Sequence, residues 1–481
     1  MEYSQLLKAL QKITGPADVL FGSDDRSAYD RDCTGNYKGI SLAVVRPANT
    51  DEVSRVIKLA HQEGLPIIPL SGNTGLAGGT HPGDNENSII VSLERLNKIR
   101  SINPGARTTE VEAGVILQSL HRAVDEHDLV FPLLFGAKGT CLIGGNLATN
   151  AGGSNVLRYG NIRALCLGLE VVMPNGSIVN LMTALHKNNT GYDLKNLFIG
   201  AEGTLGIITA AVLKLFPKPK AYATAMISVS SIPAALELLN EIQLASGGSV
   251  EAFEYMPRDF FEHLAIIHPE MRPPFEQLPK IGVLVELGTT LARDAQPGPD
   301  GSIPIVSLLK EILANHFSTG KILDAVVAQS EDQRQEMWAR REAAFDVVAY
   351  RPHAIDTDVA VPLDKVDSFV KTMDARLPEI SDKAESACIA HLGDGNLHFS
   401  VWADPSGNQP HSPEVTDQIY NLIEDTVQEL GGSFSAEHGI GLAKKATMAR
   451  RKDPAALAIM RQIKSALDPK NIMNPGKVIP D

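Results

Sequence analysis

Two histidines seven residues apart flank an Asp-Gly-Asn turn in the stretch HLGDGNLH, His391 to His398. Imidazole ligates divalent metals and titrates near neutral pH, so the spacing fits either a metal site or a pair of hydrogen-bonded histidines in a hairpin. Further on, SAEHGIG sets Glu437 and His438 side by side among glycines. A flexible backbone there can turn both side chains in directions that a regular strand would send to opposite faces. Two imidazoles and one carboxylate make the three-ligand set of a catalytic zinc-like ion with open positions. The histidine left over is then a candidate general base, its ordinary pKa of about 6.5 suited to proton removal near neutrality. Arg340 and Arg341 follow Trp338 in WARREA. The plain reading is an amphipathic helix face; the alternative is a guanidinium fork for an anionic substrate. Asp356 and Asp358 alternate with other residues in AIDTDVAVP and share one face of a strand, which reads first as a solvated face.

The glycines are the second source of chemistry. SGNTGLAGG, from Ser71 to Gly79, directly follows the apolar run LPIIPL, at the strand-to-loop position where backbone amides can approach a phosphate. A longer stretch, Gly136 to Gly160, mixes Asn146, Thr149, Asn150 and Ser154 with very few charges, too polar for a core. A third, FIGAEGTLGIIT, spaces Gly200, Gly203 and Gly206 by three and ends in β-branched residues. All three could line one long, extended ligand. None has the GxGxxG of a Rossmann dinucleotide site or the GK[ST] ending of a P-loop, and GDGNLH puts His398 where a third glycine belongs.

The elements that would hold these loops follow from patterning. LAVVRP, TDEVSRVIKLAHQEG and LPIIPL predict strand, helix, strand, with Thr50 as N-cap and Asp51 and Glu52 favouring the positive helix end. FPKPKAYAT, with Pro217 and Pro219, marks a boundary, and a second, α+β domain is expected from Lys218. It holds a helix at SIPAALELLNEIQLAS and a strand at KIGVLVELG. The C-terminal stretch predicts an amphipathic helix and then a turn at Asn474, Pro475 and Gly476.

Composition narrows the function classes. A chain of 481 residues exceeds what one core usually supports, so two or three domains are expected. A net charge of -13 opposes nucleic-acid binding, which needs a concentrated basic face. No run of eighteen apolar residues spans a bilayer, and MEYSQLLKALQKITG reads as an amphipathic helix rather than a secretory signal, so a cytoplasmic location is expected. Cys33, Cys141, Cys166 and Cys388 form no CxxC pair, which argues against disulfides, iron-sulfur clusters and zinc ribbons. Any electrons that move need another carrier.

In order, SGNTGL, GTCLIGGNLATNAGG, RYGNI, GAEGTLGIIT, HLGDGNLH, SAEHGIG and NPGK resemble the FAD-linked oxidase family of the vanillyl-alcohol oxidase type. More closely they resemble its D-2-hydroxyacid dehydrogenase branch, which holds D-lactate dehydrogenases, the glycolate oxidase D subunit and D-2-hydroxyglutarate dehydrogenase. The resemblance runs from about residue 40 to the C-terminus. It implies an α+β protein: a two-part FAD-binding domain, residues 1–217 completed by a helical tail at 426–481, and a substrate-capping α+β domain at 218–425. Carried over, the cofactor set is Ser71, Gly72, Asn73, Thr74, Gly75 and Leu76 at the pyrophosphate, then Gly136, Gly139, Thr140, Cys141, Gly144, Gly145, Asn146, Thr149, Asn150 and Gly152 towards the flavin ring. Glu202, Gly203, Gly206, Ile207 and Ile208 fall on the adenine and ribose side, with Asn474 near the ring. The first loop has no histidine for a flavin bond, and Cys141 sits where this branch binds FAD without one, so noncovalent FAD is expected.

The resemblance also places a divalent metal, zinc first and manganese as the alternative, on His391, His398 and Glu437. It makes His438 the base that takes the substrate hydroxyl proton and Arg341 the carboxylate-binding arginine. Substrate contacts are also expected from His391, His398, Asp356 and Ser400. Asp356 and Ser400 depart from the 2-hydroxyglutarate enzymes, which carry lysine and asparagine there. A like charge facing a distal carboxylate would cost binding, so a D-lactate-like or D-malate-like acid, or one with a hydroxylated tail, is expected. The rivals are a D-2-hydroxyglutarate dehydrogenase, an oxygen-using alcohol oxidase or redox-neutral synthase of the same fold, and a metal-dependent hydrolase whose glycine loops are structural. The chain has no second nucleotide site or cluster, so a separate electron acceptor is implied: an electron-transfer flavoprotein, a cytochrome or a quinone. A homodimer is the general expectation.

Overall fold

The computed structural model describes residues 1–37, 39–85 and 87–480. The chain forms two compact units, one of Met1–Gly152, Gly160–Pro217 and Glu437–Asp481, the other of Gly153–Tyr159 and Lys218–Ala436.

The first unit opens with the helix Tyr3–Thr14, whose Leu6 and Leu10 are buried. Strands β1 (Val19–Leu20), β2 (Ala43–Val45), β3 (Ile67–Leu70) and β4 (Ile89–Ser92) make a sheet of order β1-β2-β4-β3. Both β2 and β3 run parallel to β4, and β1 is antiparallel to β2. The expected strand, helix, strand is present, with the helix at Thr50–Glu63, but its N-cap is Asn49 rather than Thr50. The Asn49 side chain accepts the Glu52 N–H at 3.0 Å, and the Glu52 carboxylate returns to the Ala48 N–H at 2.8 Å. An asparagine one residue earlier thus takes the capping role. Thr50 is buried instead, its hydroxyl 2.6 Å from Glu170.

A second, antiparallel sheet takes β5 (Ile99–Asn103), β6 (Thr108–Glu112), β8 (Cys166–Val172), β9 (Ile178–Leu181) and β10 (Ile207–Lys214) in the order β5-β6-β10-β8-β9. A short pair, β7 (Leu129–Val130) and β11 (Phe216–Pro217), stands apart from it.

The tail returns to this unit through the helix Pro454–Leu467. Beyond it, Ile67 donates to the Ile472 carbonyl at 2.7 Å and accepts from the Asn474 N–H at 2.8 Å. The tail therefore lies along β3, the strand at that edge of its sheet, and covers polar backbone that would otherwise be unpaired. The fully buried Asp468 carboxylate fixes this turn, accepting from the Ile472 and Met473 N–H groups at 3.1 and 2.8 Å and from the Lys464 ammonium at 2.6 Å.

The second unit is a seven-stranded antiparallel sheet of β12 (Ala221–Val229), β13 (Val250–Pro257), β14 (Ile281–Thr289), β15 (Ile322–Val327), β16 (Ile355–Ala360), β17 (Glu385–His391) and β18 (Asn396–Trp402). Its order is β15-β12-β14-β13-β17-β18-β16. One face carries Ala225, Ile227, Phe253, Val283, Val285, Cys388, Leu397 and Phe399 into the larger core, packed by helices Ile232–Ala245, Pro304–Ser318, Val366–Ile380 and Pro413–Glu429. The other face contributes Met226, Ala252, Met256, Leu284 and Ile389 to a smaller core with Phe260, Phe261 and Trp338.

The break after Pro217 coincides with FPKPK. The chain leaves the second unit at Glu437 and not at 426, because Ile419, Leu422, Ile423 and Val427 are core residues there and Ser433 pairs with Ala360 of β16. Residues 153–159 of the second glycine-rich stretch also belong to that unit. Arg158 is bonded to Glu251 at 2.8 Å and to the Gly288 carbonyl at 2.6 Å, and the Tyr159 hydroxyl lies 2.9 Å from Glu251.

Asp468→Ala strips three buried donors of their acceptor, each lost partner costing about 1–3 kcal/mol. The variant is expected to melt at lower temperature and to release the tail from β3, seen as faster amide hydrogen exchange at Ile67 and Asn474.

Candidate active site

A cleft, open to solvent in part, lies within the first unit where the three glycine loops and the tail converge. Ser71, Gly75, Gly144, Gly145, Thr149, Glu202, Gly203, Gly206, Ile207 and Ile208 line it, and so does His438. Gly79 of the first glycine loop lines it too, as do Pro69, Leu70, Ala77, Thr80, Leu93, Ala148 and Phe198, which were not singled out from the sequence. The signal for Ala77 was within SGNTGLAGG; Leu93 and Phe198 read only as core apolar residues.

The cleft walls are held by close backbone approach. A Cβ on Gly72 would lie 2.7 Å from the Thr140 carbonyl oxygen and 2.8 Å from the Cys141 Cα, so only glycine lets the first loop meet the second. The Ser71 hydroxyl accepts the Gly145 N–H at 3.0 Å, a second tie between those loops. Gly75 faces open space. Asn73, at φ 51°, donates its amide to the Arg31 carbonyl at 2.8 Å and accepts from the Thr80 hydroxyl at 2.7 Å, so it shapes the first loop. Gly136 and Gly139 bound a single 3-10 turn, while Thr74, Leu76 and Gly152 are not among the lining residues and Leu76 is exposed.

Cys141 and Asn146 are buried against each other, with the amide nitrogen 3.6 Å from the sulfur, and burial pushes the Cys141 thiol up. Asn150 ends the helix Ile143–Thr149 at φ 54° and caps the Arg163 N–H at 3.2 Å.

Asn474 donates to the carbonyls of Gly79 and Glu202 at 2.9 and 2.7 Å, while its own Oδ1 is buried with no hydrogen-bond partner among the described residues. An orphan acceptor beside a glycine-lined cleft, with apolar Ile207, Ile208 and Phe198 on the walls, suits a long ligand that is part polar and part aromatic. These residues fit FAD.

In the second unit the strand register puts a polar row on one sheet face. Thr224 pairs with Glu286, Glu286 with Ala252, Glu254 with His391, His398 with Asp358, and Ser400 with Asp356. The helix Glu331–Glu342 presents Arg334, Trp338 and Arg341 to that row at helical spacing. Arg334 and the Trp338 indole N–H bind Glu286 at 2.7 and 2.8 Å. The Arg341 Nε donates to Glu254 at 2.9 Å, and its Nη2 forms an ion pair with the same oxygen at 2.8 Å. Burial would raise the Glu254 carboxyl, but His391 and Arg341 overcome that and hold it below the usual carboxylate range. Sequence reasoning missed Glu254, which looks like one more residue of the strand pattern VEAFEYMP.

His391 and His398 do come together, ring centroids 5.4 Å apart and edge to face. The His391 Nδ1 is turned to Glu254 at 2.8 Å. Asp358 is buried rather than on a solvated face, and its carboxylate accepts from the Asn396 amide at 2.9 Å and the Ala436 N–H at 3.2 Å. Glu437 and His438 follow Ala436 directly in the chain. Within the second unit Asp358 and His398 are register partners on β16 and β18, and Glu437 and His438 open the last segment of the first unit. Asp356 is exposed and hydrogen-bonded to the Ser400 hydroxyl.

Glu254→Gln leaves Arg341 buried without its counter-charge, and breaking one side of such a pair costs about 3–5 kcal/mol. The loss should be read as a lower urea midpoint at pH 7. Because the folded carboxyl is depressed, its contribution is full above the ordinary carboxylate pKa of about 4.3 and fades as pH falls through the lower folded value. The gap between wild type and variant should therefore close in strong acid.

Comparison with known proteins agrees with this architecture. Residues 41–182 match the family model described as "FAD binding domain", and residues 216–478 match "FAD linked oxidases, C-terminal domain". The chain is 34% identical over 470 residues to the mitochondrial D-2-hydroxyglutarate dehydrogenase of Rattus norvegicus, covering 97% of this chain and 83% of that one. It is 33% identical over 479 residues to the D-2-hydroxyglutarate dehydrogenase of Xanthomonas citri pv. viticola, covering 99% and 96%. Among solved structures it resembles p-cresol methylhydroxylase with substrate bound, at TM-score 0.76, 16% identity and coverage of 100% and 97%. An alkyldihydroxyacetonephosphate synthase follows the same fold at TM-score 0.71, 17% identity and coverage of 99% and 85%. With its flavin-binding half and its C-terminal half both matched, the chain belongs to the FAD-linked oxidase family and is an FAD-dependent oxidoreductase.

Proposed function

We propose that this enzyme oxidises a D-2-hydroxy acid to the 2-oxo acid. The observation that carries the reading is His438: a potential general base lines the glycine-loop cleft expected to hold the flavin. A base held there can meet a substrate hydroxyl beside the cofactor. The full-length similarity to enzymes named D-2-hydroxyglutarate dehydrogenase supports the substrate class. The matched FAD-binding domain sets aside the hydrolase reading.

Bound FAD supplies the two-electron acceptor, and a divalent ion supplies a Lewis acid for the hydroxyl oxygen. The chain's own residues do the rest. His438 takes the 2-hydroxyl proton. Arg341 holds the substrate carboxylate, and Glu254 fixes the guanidinium that does so. His391, His398 and Glu437 would supply the ligands for that ion; mixed imidazole and carboxylate donors suit zinc, with manganese as competitor. Cys141, buried with a raised thiol pKa, is a poor candidate for a flavin bond, so the cofactor is held without one.

The tail of the substrate meets Asp356 and Ser400, a carboxylate and a hydroxyl on adjacent strands. That pair suits a short acid or a hydroxylated tail better than a second carboxylate. Electrons leave the flavin to a separate carrier.

Anaerobic mixing with D- and L-lactate, D-malate and D-2-hydroxyglutarate, watched at the flavin band, tests all of this. D acids should bleach the flavin and L acids should not, with D-lactate or D-malate ahead of D-2-hydroxyglutarate. Bleaching that survives complete metal removal would remove the ion from the reaction. A leading rate with D-2-hydroxyglutarate would overturn the role given to Asp356. His438→Asn should keep its FAD yet bleach about 100- to 10,000-fold more slowly.

A further inference from the structure

Glu202 stands at the junction of four chain segments around the cleft, and among the described residues its carboxylate is hydrogen-bonded by backbone amides, with the Lys444 charge acting on it as well. Its two oxygens accept the Ile440 and Gly441 N–H groups at 2.7 and 2.8 Å. Its backbone N–H donates to the Ala148 carbonyl at 2.8 Å, and its own carbonyl takes the Asn474 amide at 2.7 Å. The residue is buried and sits at φ 50°, a left-handed conformation that a glutamate adopts only under constraint. Successive backbone N–H groups aimed at one carboxylate form an anion nest, and here the anion is internal. The nest lies two residues beyond His438, which shares the cleft wall with Glu202. Between them, Gly439 packs so closely on the carboxylate that a Cβ would come within 2.8 Å of Oε1. The next turn is pinned as well, since Leu442 and Ala443 both donate to the Ala77 carbonyl of the first glycine loop, at 2.8 and 3.1 Å.

The geometry points to Glu202 as a positioning residue for the base: its carboxylate grips the backbone behind His438 and sets where that imidazole stands over the flavin site. Both carboxylate oxygens are committed to the loop that carries the base. The inference rests on the assignment of His438 as general base. A glutamine keeps the shape and one acceptor oxygen but turns an amide NH2 towards the second N–H; an alanine removes both acceptors. Misplacing a reacting group by about 1 Å costs on the order of 100-fold in rate.

The test is anaerobic flavin reduction by saturating D-lactate or D-malate, whichever wild type reduces faster, across pH, in FAD-loaded Glu202→Gln, Glu202→Ala and Gly439→Ala, with His438→Asn in parallel. Gly439→Ala leaves Glu202 in place and forces the loop off it, so it serves if Glu202 variants fold poorly. Expected is a fall in limiting rate, roughly 10-fold for Gln and 100-fold for Ala, with FAD content and substrate KM within a few-fold of wild type and a displaced pH midpoint. A wild-type rate per bound FAD in all three variants, while His438→Asn is slow, overturns the proposal. Loss of FAD in step with rate overturns it too, since that is a cofactor-binding role. A wild-type rate in His438→Asn instead overturns the assignment of the base.

Discussion

The two hydrogen bonds between Ile67 and residues 472–474 are the constraint on which the cofactor unit depends. β3 ends at Leu70, and the first glycine loop begins at Ser71, so whatever fixes β3 fixes that loop. On one side β3 is paired to β4; on the other, among the described residues, it is bridged by the tail. The same short segment carries Asn474 to the carbonyls of Gly79 and Glu202. Sheet edge, first loop and third loop are thereby joined by one turn, which Asp468 holds from beneath.

Around this turn the protein meets a problem common to cofactor clefts: the walls must be polar enough to bind phosphate and ribose yet rigid without the ligand. Here rigidity comes from backbone groups satisfied by other backbone or by short side chains. Ser71 takes the Gly145 N–H, Asn73 takes the Thr80 hydroxyl, and Glu202 takes two amides. Burial raises the Glu202 carboxyl while those amides lower it, and burial wins. A carboxylate under such tension is tolerated where its geometry is useful, as in other strained sites.

Much of this was legible in the sequence for physical reasons. Glycine loops after apolar strands are local signals, and the strand, helix, strand of residues 43–70 shows itself through β-branched runs and an acidic first turn. HLGDGNLH reads as a hairpin because turn residues sit between two alternating segments. What stayed hidden was long-range pairing. The partners of Glu254 lie 87 and 137 residues away, and no local pattern tells a strand glutamate that meets Arg341 and His391 from one that meets water. Asp358 was misread for the same reason: alternation places a side chain on a face, but what covers the face comes from elsewhere in the chain. Thr50 was passed over as cap because Asn49 is the better acceptor and Thr50 has a distant partner in Glu170.

The polar row across the second unit's sheet also governs assembly. Seven antiparallel strands of mostly apolar residues could pair in many alignments, and sliding one strand by a single residue exchanges its two faces. Such a slip in β13 or β14 would drive Glu254 or Glu286 into the layer of Phe253, Val283 and Val285, a buried apolar cluster, and would strand Arg341 or Arg334 opposite hydrocarbon. An uncompensated buried charge costs several kcal/mol, far more than one misplaced apolar contact. The carboxylates that serve the site thus also act as alignment keys, making misregistered sheets energetically distinct from the native one before any ligand arrives.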